Sequence, residues 1–385
     1  MKVAYFSTPW FADIDLCYLS EAQKISVIDY YMVLHRNSKA TAINFDPLPN
    51  RNAIINAREY PALAKFSQII NLDNFWILNI DSSHSLSFKS IKVFWSFFLR
   101  LIHNKYDVIH FTRPFSILVP FVYFLRKKMV FTIHDPIEHS GHVNKRHLIE
   151  KRMAISNVSH YILLNDVQEK DFIKRFNINT SRKHIYISSL SCYSYLKMYK
   201  PKKLVNNRYV LFFGSINPYK GLDILFPAME RVLAVYKDVR LVVAGKGSFN
   251  FDIAKYISNS SYEIINKFIP DEELASLIDG SAFVVAPYHD ATQSGVVMSA
   301  FAFNKPCVVT NVGALPDMVI NDVFGKVVEP NNIEELSKAI IELLAAPQAL
   351  SKFSNNIESQ YKEGELSWKH IAEGIAEIYK GIPIF

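Results

Sequence analysis

The sequence predicts an α/β protein made of two doubly wound, mostly parallel sheets, one in each half of the chain. Three observations carry that expectation. The chain has 385 residues, more than a single hydrophobic core usually supports, so two domains are expected. Short β-rich runs alternate with helical patterns from end to end, as parallel strands joined by crossover helices require. The two halves also differ in chemistry. Lys and Arg outnumber Asp and Glu by 11 in residues 1–200 and fall short by 4 in residues 201–385, within a net charge of +7.

Strands are expected in the first half at Lys2 to Ser7, Asp107 to Phe111, Met129 to Ile133, Tyr161 to Leu164 and His184 to Ile187. In the second half they are expected at Tyr209 to Phe213, Arg240 to Ala244, Glu263 to Phe268, Phe283 to Ala286, Cys307 to Thr310 and Lys326 to Val328. The clearest helical periodicity between them runs from Ile333 to Leu344. The polar, basic stretch Tyr199 to Asn207 contains a proline and reads as the linker. Domains are therefore expected at residues 1–203 and 204–365, with a closing segment at 366–385. Ligands of open α/β sheets bind at the carboxyl ends of strands, so two such domains facing each other would place the active site in their cleft.

Composition narrows the class. Half the residues are hydrophobic and 21% are charged, as in an ordinary globular protein, with no repeat or low-complexity tract. Asp13 and Asp15 interrupt the first apolar run before it could act as a signal segment. The apolar stretches Phe115 to Leu125 and Lys92 to Ile102 fall short of the ~20 residues that span a bilayer. Cys17, Cys192 and Cys307 are far apart and lack CxxC spacing, so neither a disulfide framework nor a zinc site is indicated and a reducing cytoplasm is expected. The basic first half points to nucleic acid, a phospholipid surface or a phosphorylated acceptor as partner. No nucleic-acid recognition motif accompanies the charge.

Glycine placement locates phosphate binding. None of the twelve glycines precedes Gly141, and the other eleven lie from Gly214 onward. Phosphate-cradling loops need close backbone approach or positive φ, so a nucleotide diphosphate belongs in the second half. There YVLFFGSINPYKGLDIL ends a strand at Gly214 and opens a helix near Lys220, where an anion is favoured. A solvated lysine in an ordinary strand-turn-helix is the competing reading. VRLVVAGKGSF puts Gly245 and Gly247 after another strand, as a ligand loop or a plain turn. Phe283 to Asp317 is the most informative stretch. Its polar loop HDATQ leads to Ser294, a plausible N-cap for a helix running to about Asn304. The free amides of Gly295 and Val296 make a diphosphate seat, and Thr292 and Gln293 add donors or acceptors.

Taken in order, FGSINPYKG, AGKG, FIPDEEL, APYHDATQSGV, NKPCVVTNVGALPD and FGKVVEPNN resemble the nucleotide-binding half of the family 4 retaining glycosyltransferases, over roughly residues 208–350. YDVIHF and MVFTIHDP resemble that family's acceptor-side strands, and SWKHIAEGIAEIY resembles its closing helix, which often crosses back to the first domain. The resemblance implies a GT-B fold of two Rossmann-like domains and a nucleoside-diphosphate sugar donor of the UDP or GDP type. It implies that Lys220 neutralises the diphosphate and that Gly214 lets its loop approach. Donor contacts would come from Ser215, Gly245, Phe268, Asp290, Thr292, Gln293, Ser294, Gly295, Val296 and Ser299. His134, with Asp135 beside it, matches the histidine that reaches the donor sugar. Retention would follow from the leaving diphosphate helping to deprotonate the attacking hydroxyl on the same face.

The chain departs from the family pattern in places. Ser215 stands where an arginine usually accompanies Lys220. Aligned on Lys305 and Pro306, Ser299 takes the place of one usual glutamate and Ala291 or Thr292 that of the other, as in a subgroup with a TQSG loop. Asp290 is close enough to compensate.

Other constellations carry less. His134-Asp135 at a strand end can donate to a leaving-group oxygen or a sugar hydroxyl. His139 and His142 follow at a spacing that suits no standard zinc pattern. Asp13-Ile14-Asp15 resembles a DxD metal motif but sits in the glycine-free half, where an acceptor-facing loop is expected with Asp13 bonding the acceptor. No metal is expected if Lys220 and helix amides carry the phosphate charge. From Ser87 to His103, Lys89, Lys92, Ser96, Arg100 and His103 share one helical face. Ile91, Phe94, Trp95, Phe98, Leu101 and Ile102 share the other. A helix packed on the first sheet is the favoured reading, and an interfacial membrane helix the alternative. Basic clusters at Arg126 to Lys128, Lys170 to Arg175 and Lys197 to Lys203 keep an anionic membrane surface among the expected partners.

The expectation is thus a glycosyltransferase acting on a saccharide or lipid-linked saccharide acceptor in surface polysaccharide biosynthesis, at the inner face of the cell membrane. A non-catalytic sugar-nucleotide-binding or scaffolding protein of the same architecture, or a sugar-nucleotide epimerase, stays open.

Overall fold

The structure, a computed structural model, describes residues 1–35, 43, 51–80, 87–113, 123–134, 145–164, 166, 169–201, 208–291 and 294–382. Of the expected functional positions, Asp135, Thr292, Gln293, His139 and His142 lie outside the described residues. The chain divides into two compact units, Met1–Leu190 with Trp368–Phe385, and Ser191–Ser367. The division falls ahead of the expected linker because the turn after Ser191 packs into the second unit. The Tyr193 amide donates to the Met298 carbonyl at 3.1 Å, and Tyr195 and Leu196 are buried.

The first unit is built on a sheet of strands β1 (Lys2–Ser7), β2 (Val27–His35), β3 (Ala53–Asn56), β4 (Phe75–Ile80), β5 (Val108–Phe111), β6 (Met129–Ile133), β7 (His160–Leu163) and β8 (His184–Ile187). Their order is β3-β4-β2-β1-β5-β6-β7-β8. All the pairings are parallel except β3 with β4. β1 and β5 are buried from Val3 and Val108 onward, as a parallel strand covered on both faces must be. The last helix, Trp368–Lys380, packs on the first, Ala12–Ile25, within this unit.

Two sequence expectations are corrected here. Asp13 and Asp15 do not lie in a loop; they occupy the first turn of the helix Ala12–Ile25, where carboxylates complement the helix dipole. The helix Phe88–His103 buries Ser90, Val93, Phe94, Phe97, Phe98 and Leu101. The buried stripe is rotated from the expected one, leaving Ile91, Trp95 and Ile102 exposed. Arg100 also leaves the expected polar face. Its guanidinium lies 3.6 Å from the Trp76 ring centroid and donates to the Tyr31 hydroxyl at 3.0 Å.

The second unit holds β9 (Tyr209–Phe213), β10 (Arg240–Ala244), β11 (Tyr262–Ile265), β12 (Phe283–Ala286), β13 (Cys307–Thr310) and β14 (Gly325–Val328). They run in the order β11-β10-β9-β12-β13-β14, all parallel. In this doubly wound order the chain leaves β9 toward one edge and resumes at β12 toward the other. The crevice between the loops after those two strands is the switch point at which such sheets bind ligands.

Polar groups sealed inside the first unit set its response to pH. The Asp15 carboxylate is fully buried and accepts from the Tyr5 and Tyr30 hydroxyls at 2.9 and 2.8 Å. Burial pushes its pKa up to about 7, against the opposing hydrogen bonds from Ser7, Tyr30 and Tyr5. His110 contacts the Tyr379 hydroxyl and the Thr132 hydroxyl at 2.5 and 2.6 Å. Burial holds both His110 and His134 down to about 3. Below about pH 6.5 the unfolded chain protonates these two histidines while the folded chain does not, which costs stability as pH falls. Asp15 acts oppositely, because the folded form keeps a proton that the unfolded carboxyl releases above about pH 4. These three groups together favour the histidines by one proton, so they contribute a fall in stability of about 1.4 kcal/mol per pH unit between pH 6 and 4. Asp15→Asn should steepen the overall fall by about 1.4 kcal/mol per pH unit. Calorimetric or circular-dichroism melts across this range check it, and a slope unchanged by Asp15→Asn would refute the Asp15 assignment.

Candidate functional site

The site in the second unit is assembled from the loops that follow β9 and β12. Beyond Phe213 the chain turns at Gly214 (φ 115°) and reaches the short turn Pro218–Lys220. Gly221 (φ 69°) then caps the helix Leu222–Val235. A Cβ on Gly221 would lie 1.8 Å from the Pro287 carbonyl oxygen, so only glycine lets the two loops meet backbone to backbone. The His289 amide donates to the Tyr219 carbonyl at 2.8 Å. His289 Nε2 is 2.9 Å from Asp223 Oδ1.

The helix after β12 runs from Gly295 to Ala302, slightly shorter than expected, and Ser294 is its N-cap, accepting from the Val297 amide at 3.4 Å. Gly295 is exposed and Val296 half-buried. The amino end of this helix therefore leaves amides without helical partners. A Cβ on Gly214 would meet the Val296 side chain at 3.4 Å, which brings the end of β9 against this helix.

Lys220 lies within this arrangement. Its ammonium is 3.7 Å from the Tyr288 ring centroid and 5.0 Å from that of Tyr219. No carboxylate among the described residues pairs with it, and burial brings its pKa down to about 8. A partly desolvated cation with no carboxylate partner among the described residues, set on a ring whose hydroxyl reaches the Ser294 cap, is suited to bind an anion.

The remaining expected donor residues are spread around this core. Ser215 is exposed. Gly245 is buried, and its missing Cβ accommodates the Gly214 carbonyl oxygen, 1.7 Å from where a Cβ would stand. Gly247 does the same against the Ile216 carbonyl at 2.0 Å. These glycines therefore let the loops after β9 and β10 continue their pairing. Phe268 is 64% exposed beyond β11. Asp290 is exposed at the loop tip. Ser299 is buried within the helix Gly295–Ala302.

In the first unit, His134 follows β6 directly. Its ring stacks on Phe11, with centroids 3.7 Å apart and planes 8° from parallel. Its Nε2 is buried without a hydrogen-bond partner among the described residues. With a pKa near 3, set by burial and then by Lys151, the imidazole is neutral under ordinary conditions. It can exchange hydrogen bonds but does not carry a proton as an acid. Asp13 is half-buried, and its carboxylate accepts from the Ile14 amide at 2.9 Å. Among the described residues no group of three or more His, Cys, Asp or Glu side chains could hold a metal ion.

The family model described as Glycosyl transferases group 1 matches residues 207–346, the stretch that builds this site. Over that stretch the chain is similar to the group 1 glycosyltransferases, and its named relatives are glycosyltransferases. A Bacillus subtilis protein named as a glycosyltransferase, YtcC, is 23% identical over 303 residues, covering 72% of this chain and 74% of its own length. The D-inositol 3-phosphate glycosyltransferase of Segniliparus rotundus is 30% identical over 178 residues, 44% of this chain and 39% of that protein. Among solved structures, Anabaena HepE in complex with UDP superimposes with a TM-score of 0.68 at 16% identity, covering 99% of this chain and 100% of that one. Sucrose-phosphate synthase from Thermosynechococcus elongatus gives 0.64, also at 16% identity, over 99% and 98% of the two chains. The fold is GT-B, with two Rossmann-like units.

Two tyrosines of this glycosyltransferase escaped the sequence reading. Tyr288 is 1% exposed beneath Lys220. Tyr193 packs against Gly295, its Cε2 3.1 Å from where a Cβ would stand. An aromatic residue directly after Pro287, the residue that follows β12, was the available signal for Tyr288. Nothing local marked Tyr193, which is about a hundred residues away in sequence.

The Gly221 contact yields a test. Gly221→Ala should destabilise the second unit by at least about 2 kcal/mol, from backbone overlap and positive φ together. Gly374 lies on an exposed helical position where an added Cβ would meet nothing within 4 Å, so Gly374→Ala should be neutral or stabilising. Urea unfolding of both variants separates the two outcomes.

Proposed function

We propose that the enzyme transfers a sugar, with retention, from a UDP- or GDP-type donor to a saccharide or lipid-linked saccharide acceptor in surface polysaccharide assembly. The observation that carries the donor assignment is Lys220, a cation without a carboxylate partner among the described residues, at the switch point of a doubly wound sheet and joined through Tyr288 to a capped helix start. In this reading Lys220 and the amides of Gly295 and Val296 hold the diphosphate, and the phosphate charge needs no metal. Thr292, Gln293 and Phe268 belong to the same donor site by resemblance. The bond from the sugar C1 to the diphosphate oxygen breaks as the acceptor oxygen bonds to C1 on the same face. The acceptor's hydroxyl proton passes to the departing diphosphate. His134 is assigned a hydrogen bond to the sugar rather than proton transfer, because its ring stays neutral. The solved HepE structures with UDP and UDP-glucose support the choice of donor class by analogy.

The acceptor side of the proposal includes contact with an anionic membrane through the helix Phe88–His103. Phe88 is 83% exposed, Trp95 49% and nearby Phe124 74%. Lys89, Lys92 and Lys127 are exposed beside them. Neither 88–103 nor 123–128 contains an acidic residue. Aromatic side chains flanked by cations suit the headgroup region of an anionic bilayer.

Lys220→Ala should weaken UDP or GDP binding about 10- to 100-fold, the loss of a charge-assisted contact, and suppress nucleoside-diphosphate release to match. Wild-type affinity should itself decline as pH rises through about 8, where Lys220 loses its proton. Titration calorimetry reads both, and unchanged binding by Lys220→Ala would reject the diphosphate assignment. For the membrane contact, the full chain should sediment with phosphatidylglycerol-containing vesicles and not with phosphatidylcholine alone. A Phe88→Ser/Trp95→Ser double variant should lose that binding. Equal recovery with both vesicle types, or retention by the variant, would reject it.

A further inference from the structure

A buried lysine ammonium usually secures its charge with a carboxylate. Lys220 has an aromatic face instead, and that difference has a functional consequence. A carboxylate would neutralise the cation and compete with phosphate for its N–H groups. A ring face attracts the ammonium through its quadrupole, leaves the full positive charge in place and leaves the N–H groups on the far side free. The Tyr288 ring is 3.7 Å from the Lys220 ammonium at its centroid and 1% exposed. The other end of the same side chain reaches the helix start, with Ser294 Oγ donating to the Tyr288 hydroxyl at 3.4 Å.

The tyrosine is itself fixed. Its carbonyl accepts from Thr310 Oγ1 at 2.6 Å, which ties it to the end of β13. Tyr219 abuts it edge-on at 6.5 Å. Its neighbours on either side, Pro287 and His289, carry the two backbone contacts to Gly221 and Tyr219 that join the loops.

We propose that Tyr288 is the positioning residue of the anion site, its ring holding the Lys220 ammonium toward the diphosphate. This inference rests on the reading of Lys220 as the diphosphate ligand. It adds that the lysine is effective only because Tyr288 pre-orders it, removing in advance the side-chain entropy that binding would otherwise cost.

The test is a double-mutant cycle read by titration with UDP, GDP and inorganic pyrophosphate as probes. Tyr288→Phe keeps the ring and should bind the diphosphates within about threefold of wild type. Tyr288→Leu should bind about 10- to 30-fold more weakly, the size of a desolvated cation–π contact. In a Lys220→Met background Tyr288→Leu should cost nothing more, which a general loss of packing would not produce. Full additivity of the two substitutions, or wild-type affinity in Tyr288→Leu, overturns the inference while the Lys220 assignment stands. Unweakened binding by Lys220→Met alone removes the Lys220 assignment itself, and this inference with it. Should Tyr288→Leu not fold, wild-type protein carrying ε-13C-lysine answers the question, with Lys220→Met assigning the signal. The Lys220 ε-CH2 resonance should be displaced upfield by the ring current of Tyr288 and should move on adding pyrophosphate. An undisplaced resonance overturns the inference.

Discussion

The second unit's site depends on one steric constraint, the approach of Gly221 to the Pro287 carbonyl. β9 and β12 are neighbours in the sheet, yet their following loops could diverge, because the chain winds in opposite directions from the two strands. Removing one Cβ at Gly221 lets the loops touch, and the amide of His289 then bonds the carbonyl of Tyr219. From that contact follow the burial of Tyr288, the seat of Lys220 on its ring, and the closeness of Gly214 to Val296 at the helix start. The glycines after β10 serve the same packing, since Gly245 and Gly247 lie against the carbonyls of Gly214 and Ile216.

Electrostatically the site is economical. One cation is held without a countercharge among the described residues, and the helix Gly295–Ala302 contributes amides and a dipole. The partial desolvation that brings Lys220 to about 8 also raises the strength of its interaction with an arriving anion, because the local dielectric is low.

The first unit follows a different logic. Its interior holds Asp15, His110, Tyr5, Tyr18, Tyr30 and Tyr379 in close polar contact across the first helix, the sheet and the last helix. Burying these groups is tolerable only because each finds a partner. Two otherwise distant ends of the chain are thereby registered against each other: Tyr18 and Tyr379, 361 positions apart, share a hydrogen bond of 3.1 Å. His134 differs, with a neutral ring pressed on Phe11 and a buried nitrogen left open among the described residues.

The sequence by itself determined the α/β class, the presence of two sheets, and the strands whose apolar runs are bracketed by turn residues. β1, β6 and β8 to β10, and β12 and β13 lie at their expected positions. It also pointed the proposed phosphate site to the glycine-bearing half, because glycine's lack of a Cβ is a local property visible without a fold. Tertiary structure decided the rest. β2 follows the first helix with only Ser26 between, and no glycine or proline separates them. Pairing with β1 and β4 made it a strand. The helix Phe88–His103 is apolar on so much of its surface that periodicity could not tell which stripe the sheet would cover. Tyr288 had no signature as a cation holder, since its partner lies 68 positions earlier and meets it only where two loops are forced together.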